Sequence, residues 1–154
     1  MTGLEDIIGP NAVIPSLKAH SKKQAMQEVA ARVAAVAGIP EREIFETLTQ
    51  RERLGSTGIG NGIAIPHGRI VGLDHVVGVF ARLDEPIDFE AIDDKPVDLI
   101  FVLLAPEGSG ADHLKALARV ARLLRVSDTA AKLRSTEDAK ALYGLLTRPS
   151  ASAA

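Results

Sequence analysis

The chain contains no cysteine, which excludes disulfides, thiol nucleophiles and cysteine-ligated metal sites. Aromatic residues make up only 3% of its 154 residues, so a platform for stacking nucleic-acid bases is not expected. Charge is nearly balanced, with 18 Lys and Arg against 20 Asp and Glu, and a nucleic-acid partner would favour a basic stripe instead. What remains is a chain whose length suits one domain and for which no nucleic acid is expected.

Long apolar runs and targeting signals are also missing. No run approaches the ~20 residues of a membrane span, and the longest, LIFVLLA at 99–105, has the length of a buried strand. The first ten residues, MTGLEDIIGP, lack the basic and apolar regions of a secretory signal. We therefore expect a cytoplasmic protein without membrane insertion.

Apolar spacing and end signals predict interleaved helices and strands. Ser21 and Gln24 form a capping box at the start of a helix that stops at Gly38, and Pro40 opens a second helix that ends before Gly55. Further strands are predicted at 63–66, 76–83 and 96–105, and further helices from 112 and at 136–146. The buried face of the helix from 112 is predicted to consist of Leu114, Leu117, Ala118, Ala121 and Leu124.

This alternation predicts an α/β layered domain. The strand that follows His67 comes too soon for a helical crossover, so at least one strand pair should be antiparallel and the sheet mixed. We expect a single domain over residues 1–146. The segment 147–154 is small and polar and is expected to form a flexible tail.

The most informative stretch is GSTGIGNGIAIPHGR at 55–69. Its glycines permit positive φ angles, and successive amides can form an anion nest, although an ordinary tight loop explains the same pattern. Neither the P-loop spacing nor the dinucleotide fingerprint fits, so no nucleotide site is expected. The candidate phosphate-loop residues are Ser56, Thr57, Gly58, Gly60, Asn61 and Gly62.

His67 ends this stretch, and its neighbours Pro66 and Gly68 limit the freedom of the backbone. A neutral imidazole is a competent nucleophile toward a phosphoryl group. Phosphoryl transfer depends mostly on positioning and on donors around the transferring oxygens. A buried, hydrogen-bonded core histidine fits the same pattern equally well.

A second histidine and two arginines are further candidates. Ser109 and Asp112 can form a capping box that places His113 near a helix N-terminus, where a neutral imidazole is favoured and can donate to a phosphoryl oxygen. Arg51 or Arg53 can clamp a phosphate, or can simply complement the end of a helix. For His113, a surface or capping role is the alternative.

No metal or cofactor is expected. The chain has no zinc-binding pattern and no nucleophile elbow. An acidic cluster could bind a metal, but a solvated loop is the favoured interpretation. The cluster consists of Asp88, Glu90, Asp93 and Asp94.

Residues 51–69, RERLGSTGIGNGIAIPHGR, closely resemble the phosphorylation-site segment of the mannitol/fructose-type enzyme IIA family of the bacterial phosphotransferase system, and most closely its nitrogen-regulatory branch. The resemblance continues through residues 89–106 and 113–117. It implies a three-layer α/β/α sandwich with a mixed sheet. It also implies a role for three side chains: His67 as phosphoryl acceptor at Nε2, His113 as supporting histidine, and Arg51 as phosphate-stabilising arginine.

For function, the resemblance implies a phosphohistidine relay. The donor would be a nitrogen-type phosphohistidine carrier protein, itself charged from phosphoenolpyruvate. The phosphorylation state would regulate partners such as a sensor kinase or a potassium transporter, in nitrogen metabolism and potassium homeostasis. The alternatives are a fructose- or mannitol-specific component that passes phosphate to a IIB domain, a binding module that has lost transfer, and a small-molecule hydrolase.

Overall fold

The computed structural model describes residues 3–148, in which helices and strands are interleaved as predicted. The strands are β1 (Val13–Leu17), β2 (Gly58–Gly60), β3 (Ile63–Ala64), β4 (His67–Ile70), β5 (Val77–Ile87) and β6 (Val97–Pro106). The helices are α1 (Lys22–Ala37), α2 (Glu41–Arg53), α3 (Gly110–Arg125), α4 (Ser127–Arg134) and α5 (Ala139–Thr147). Of the predicted tail, Thr147 still belongs to α5, and residues 149–154 lie outside the described part.

These six strands form one mixed sheet in the order β1-β5-β6-β3-β2, and β4 also pairs with β6. β6 runs antiparallel to β5 and parallel to both β3 and β4. The pairs Ile63–Leu99 and His67–Leu103 keep the same register against β6, so β3 and β4 are two parts of one interrupted strand. The predicted mixed sheet is confirmed.

The interruption falls at Ile65 and Pro66. The N–H of Ile65 points away from β6 and donates to the carbonyl of Thr57 (3.0 Å), while Pro66, which faces β6, has no N–H to donate. The carbonyl of Pro66 still accepts from the N–H of Leu103 (2.9 Å), and the ladder resumes at His67. The chain therefore enters β4 in a fixed register, with the carbonyl of Ile65 available to a side chain.

Helices cover both faces of the sheet, which gives the predicted three-layer α/β/α sandwich. α1 and α2 pack against each other and lie over β5 and β4, whereas α3 and α5 lie against β6 and β1. Gly68 faces α2, because a Cβ at this position would lie 2.7 Å from Cγ2 of Thr47. Side chains alternate along a strand, so the neighbours of Gly68 on β4 face the α3 side.

The core is centred on β6, where residues 99–105 are fully buried. This confirms the prediction of a central strand from its continuous apolar run. The rings of Phe80 on β5 and Phe101 on β6 pack with centroids 6.4 Å apart.

The predicted ends of α1 are confirmed. Ser21 Oγ accepts from the N–H of Gln24 (3.1 Å), while Gln24 Oε1 accepts from the N–H of His20 (2.8 Å). Gly38 closes the helix with φ 72°, the left-handed conformation that favours glycine. Four elements, β1, β2, β4 and α4, were not predicted. β1 is an edge strand with a proline, β2 and β4 have only three and four residues, and α4 has only eight.

The predicted buried face of α3 is wrong for Leu114, which is 64% exposed, and for Ala118, which is also exposed. The helix instead buries His113, Ala116, Val120, Leu123 and Leu124. Leucines and alanines form two overlapping apolar stripes on this helix, so periodicity alone could not choose between them. Packing on β6 and next to His67 selects the stripe that includes His113.

The close packing at Gly78 on β5 yields a stability prediction. A Cβ there would lie 2.7 Å from Phe101 Cε1 and 2.8 Å from Ile7 Cγ2. Gly78→Ala should therefore lower the free energy of unfolding, measured by urea denaturation, by about 1–3 kcal/mol. Gly144→Ala is the matched control, since its Cβ would meet nothing within 4 Å. Equal stability of the two variants would contradict this packing.

Candidate active site

The hydrogen bonds of His67 show which of its ring nitrogens carries the proton. Its Nδ1 lies 2.8 Å from the carbonyl oxygen of Ile65. A carbonyl only accepts hydrogen bonds, so Nδ1 carries the proton and Nε2 is unprotonated. Nε2 in turn accepts a hydrogen bond from Nε of Arg51 at 3.3 Å. The geometry thus leaves Nε2 as the unprotonated nitrogen of the ring.

The surroundings of His67 favour its neutral form. Burial lowers the pKa of the ring, and the positive charge of Arg51 lowers it further. The Ile65 carbonyl and the Glu52 carboxylate act in the opposite direction, but the pKa remains below its usual value. A half-buried, neutral imidazole with an unprotonated Nε2 has the properties of a nucleophile.

His113 lies beside His67 and carries an unpaired donor. The two rings meet edge to face, with centroids 5.6 Å apart. His113 Nδ1 accepts from Nε of Arg69 (3.1 Å), so the proton of the neutral ring is on Nε2. Nε2 is buried and has no hydrogen-bond partner within residues 3–148. Such an orphaned buried donor is unusual and indicates a place for a ligand acceptor.

The pKa of His113 is also lowered, first by burial and then by the neighbouring His67 and Arg69. The predicted capping bond from Ser109 is wrong, because Ser109 Oγ donates to the carbonyl of Pro106 (2.7 Å) instead. The backbone of Ser109 is not extended, as a side-chain cap requires. His113 nevertheless lies at the start of α3, as predicted, and its ring is buried rather than on the surface.

The structure brings Arg51, and not Arg53, to His67. Besides its bond to His67, Arg51 donates from one terminal nitrogen to the carbonyl of Gly55 (2.9 Å). This leaves further N–H groups of its guanidinium free to meet an anion. Arg53 lies in the same last turn of α2 but makes no hydrogen bond or ion pair within the described residues.

Arg69 is the site residue that sequence reasoning missed. It lies two positions after His67 on β4, and Gly68 between them faces α2, so both side chains lie on the α3 side of the sheet. A prediction of strand at 67–70 would have found it from this spacing. No sequence signal, however, showed that His113 would meet it there.

Three amides of the glycine-rich segment, which an anion nest would offer to a ligand, are paired within the protein. The N–H of Thr57 donates to Glu52 Oε1 (3.1 Å), and the N–H of Gly58 donates to Ser56 Oγ (3.1 Å). The N–H of Asn61 donates to Asp93 Oδ2 (3.0 Å). These three amides are therefore already satisfied and have no free hydrogen for phosphate.

The segment is instead a short hairpin, β2–β3, held by its neighbours. Asn61 and Gly62 form its turn with φ 58° and 79°, and Gly60 also has a positive φ. Arg134 of α4 donates to the carbonyl of Asn61 and to both carboxylate oxygens of Asp98. The glycines thus serve turn geometry and close packing.

A buried ionic network anchors this segment to α2. The Glu52 side chain, only 7% exposed, accepts from Lys22 Nζ at 2.8 Å and from the hydroxyl of Thr57. Lys22 Nζ also lies 4.8 Å from the centre of the Phe89 ring. Ser56 Oγ donates to the carbonyl of Phe89 (2.7 Å). Because Glu52 follows Arg51 in α2, the network fixes the helix end that carries Arg51.

The acidic cluster acts through its backbone contacts, in agreement with the loop interpretation. Asp93 accepts from the N–H groups of Asn61 and Lys95, which lower the pKa of its carboxyl group, and Asp88 accepts from the N–H of Glu90. No group of three His, Asp or Glu side chains in residues 3–148 is placed to hold a metal ion.

None of the helices in the described part of the chain has the length and apolar character to cross a membrane.

Comparison with known proteins assigns the family. The chain belongs to the family described as phosphoenolpyruvate-dependent sugar phosphotransferase system, EIIA 2, which it matches over residues 6–148. It is 58% identical over 151 residues to a nitrogen regulatory protein from Bradyrhizobium diazoefficiens, covering 98% of this chain and 99% of that protein. The family expected from residues 51–69 is confirmed.

Solved structures agree with this assignment. Nitrogen regulatory protein IIA-Ntr from Neisseria meningitidis superposes with a TM-score of 0.88 at 35% identity, covering 94% of this chain and 99% of that one. Enzyme IIAMTL from Escherichia coli, solved in complex with phosphorylated enzyme IIBMTL, shares the fold with a TM-score of 0.76 at 19% identity, over 91% and 98% of the two chains.

The Glu52 network yields a second stability prediction. Among residues 3–148, Glu52→Ala leaves the largely buried Lys22 ammonium with only the exposed Glu90 as an ionic partner, and it removes the acceptor of Thr57. We expect a loss of about 2 kcal/mol in the free energy of unfolding. Glu46→Ala, which breaks an exposed pair with Arg42 on the same helix, should cost about 0.5 kcal/mol or less. Equal losses in the two variants would argue against an anchoring role.

The two histidines yield a prediction on pH. Their pKa values are lowered in the folded protein, so below about pH 6.5 the unfolded chain binds more protons than the native one. Their contribution to stability is therefore complete above that pH and falls as the pH drops toward the folded pKa values. Urea denaturation between pH 7.5 and 5.5 should show a smaller decrease for the double variant His67→Gln, His113→Gln than for the wild type. A steeper decrease in the double variant would contradict the lowered pKa values.

Proposed function

We propose that His67 accepts a phosphoryl group from the phosphohistidine of a carrier protein that is itself charged from phosphoenolpyruvate. The observation that carries this proposal is the hydrogen bond between His67 Nδ1 and the carbonyl of Ile65, which leaves Nε2 unprotonated and able to act as the nucleophile. Membership of the phosphotransferase EIIA family supports the direction of transfer.

In the transfer step, the Nε2 lone pair of His67 attacks the phosphorus atom of the donor in line with the bond that breaks. The phosphorus–nitrogen bond of the donor opens, and its electron pair returns to the donor imidazole. The His67 ring becomes positively charged while Nδ1 keeps its proton. The carbonyl of Ile65 stabilises that N–H, because a hydrogen bond to the charged form favours it.

Two side chains supply donors to the phosphoryl oxygens. Arg51 must release the Nε2 lone pair of His67, and its guanidinium can then turn toward the incoming charge. The free Nε2–H of His113 is a second donor within reach of a group on His67. The N–H groups of Thr57, Gly58 and Asn61 are already paired, so they do not donate to the phosphoryl oxygens. The segment that contains them stabilises the site indirectly.

We propose a regulatory output, because the chain is 58% identical over nearly its whole length to a nitrogen regulatory protein. A phosphoryl group adds about −1.5 to −2 charge to the site. Near the Arg51 end of α2, Leu54 is 85% exposed and Ile59 is partly exposed, which suits reversible docking of a partner. The partners would be proteins of nitrogen metabolism or potassium homeostasis, such as a sensor kinase or a potassium transporter.

The second candidate is a sugar-specific component that passes phosphate to a IIB domain. The shared fold with enzyme IIAMTL, solved together with phosphorylated enzyme IIBMTL, favours this alternative. Mixing the phosphorylated protein with fructose-type and mannitol-type IIB domains discriminates between the two. Rapid loss of phosphate to either domain would establish the sugar-transport role, whereas retention of the phosphate supports the regulatory one.

Intact-mass analysis tests phosphoryl acceptance. After incubation with a phosphoenolpyruvate-charged phosphohistidine carrier, the wild type should gain one acid-labile phosphate and His67→Ala none. His113→Ala should be labelled about a hundredfold more slowly, because one donor to the phosphoryl oxygens is lost. His20→Ala, which removes an exposed histidine outside the site, is the matched control and should behave as wild type.

Substantial labelling of a folded His67→Ala protein would refute the assignment of the acceptor. Absence of labelling in the wild type, with a donor shown to be charged, would indicate a binding module that has lost transfer.

A further inference from the structure

The two ring nitrogens of His113 lie in different surroundings. Nδ1 accepts a hydrogen bond from Arg69 Nε, and Nε2 is buried without a partner in residues 3–148. A neutral imidazole carries its proton on either nitrogen, and only the form with the proton on Nε2 can donate from there. The other form would present a lone pair, which repels phosphoryl oxygens. Whether His113 can donate a hydrogen bond to a phosphoryl oxygen therefore depends on its tautomer.

Arg69 is suited to select that tautomer. A guanidinium only donates, so its contact with Nδ1 is incompatible with a proton on that nitrogen. Within the described residues no other side chain forms a hydrogen bond with either nitrogen of His113. This bond is also the only polar contact of the Arg69 side chain in that part of the protein.

The backbone holds Arg69 in a fixed position on β4. It pairs with Ala105 of β6 in the ladder that also holds His67 opposite Leu103. Because Gly68 between them packs against Thr47 of α2, β4 cannot rotate to exchange its faces. The acceptor histidine and the arginine are thereby held on one side of the sheet, next to His113.

We propose that Arg69 is a positioning residue of the phosphoryl-transfer site, which keeps the proton of His113 on Nε2 so that this ring donates to the phosphoryl oxygens. The proposal rests on the function proposed above for His67 and His113. Arg69 acts through His113 and is assigned no contact with the transferred group.

The need for such a residue is greatest once His67 carries phosphate. The added negative charge favours a second proton on His113. Arg69 opposes this second protonation, because its side chain donates to Nδ1 and places a positive charge beside the ring. His113 then remains a neutral donor in both states of His67.

The direct test is the nitrogen spectrum of the His113 ring in the unphosphorylated protein above pH 8. Long-range proton–nitrogen correlations distinguish a protonated from an unprotonated ring nitrogen. We expect the proton on Nε2 in the wild type and in Arg69→Lys, which keeps a donor. In Arg69→Glu a carboxylate oxygen takes the place of Arg69 Nε, at the same number of bonds from the backbone. Because this oxygen accepts a hydrogen bond instead of donating one, the proton of the His113 ring should move to Nδ1.

The second readout is the rate of phosphorylation, measured with the charged carrier and with phosphoramidate, a small donor that needs no docking surface. Arg69→Met should be about tenfold or more slower with both donors, and its His113 pKa should rise. Arg69→Lys should recover most of the rate. Arg122→Met, which removes an exposed positive charge from the far end of α3, is the control for charge and should react as wild type.

The proposal is overturned if His113 keeps its proton on Nε2 in a folded Arg69→Glu protein, or if Arg69→Met reacts at the wild-type rate with both donors. Slowing with the carrier alone also overturns it, since Arg69 would then serve docking. If the wild type is labelled by neither donor, the function proposed for His67 fails, and the ring spectra still decide whether Arg69 sets the tautomer.

Discussion

The hydrogen bond between His67 Nδ1 and the carbonyl of Ile65 is the interaction on which the site depends. The backbone groups of Ile65 point away from β6, and its N–H donates to the carbonyl of Thr57 in the β2–β3 hairpin. The N–H of Thr57 donates to Glu52 Oε1 and not back to Ile65, so the Ile65 carbonyl accepts from the ring two residues later. This bond fixes which ring nitrogen of His67 is unprotonated, at a point held in register by the central strand.

Each of the two histidines accepts a hydrogen bond from an arginine, but the two bonds have opposite consequences. Arg51 donates to Nε2 of His67, so in the proposed transfer this bond would have to be exchanged for bonds to phosphoryl oxygens. Arg69 donates to Nδ1 of His113, which is not the nitrogen proposed to contact the phosphoryl group, so this bond could persist. Burial keeps both rings neutral, and the arginines decide which nitrogen is a lone pair and which is a donor.

The glycine-rich segment lies beside the candidate site, as its sequence indicated, but its glycines have a different structural role there. Its glycines indicated an anion nest or a tight turn, and the structure contains the turn of a hairpin. Glu52 and Asp93 occupy amides of Thr57 and Asn61 that a nest would have offered to phosphate. The segment instead links the Lys22–Glu52 pair to the helix end that carries Arg51, so it stabilises the site indirectly.

Local sequence was sufficient for the family, the mixed α/β fold, the central strand and the position of His67 after a glycine-rich segment. Those features follow from short-range patterns: the apolar run of β6, the capping box of α1 and the proline before His67. The buried face of α3, the pairing of His113 with Arg69 and the loss of free amides in the hairpin were decided only by tertiary structure. Each depends on residues far apart in the chain, and a sequence pattern carries no distance between an arginine on β4 and a histidine on α3.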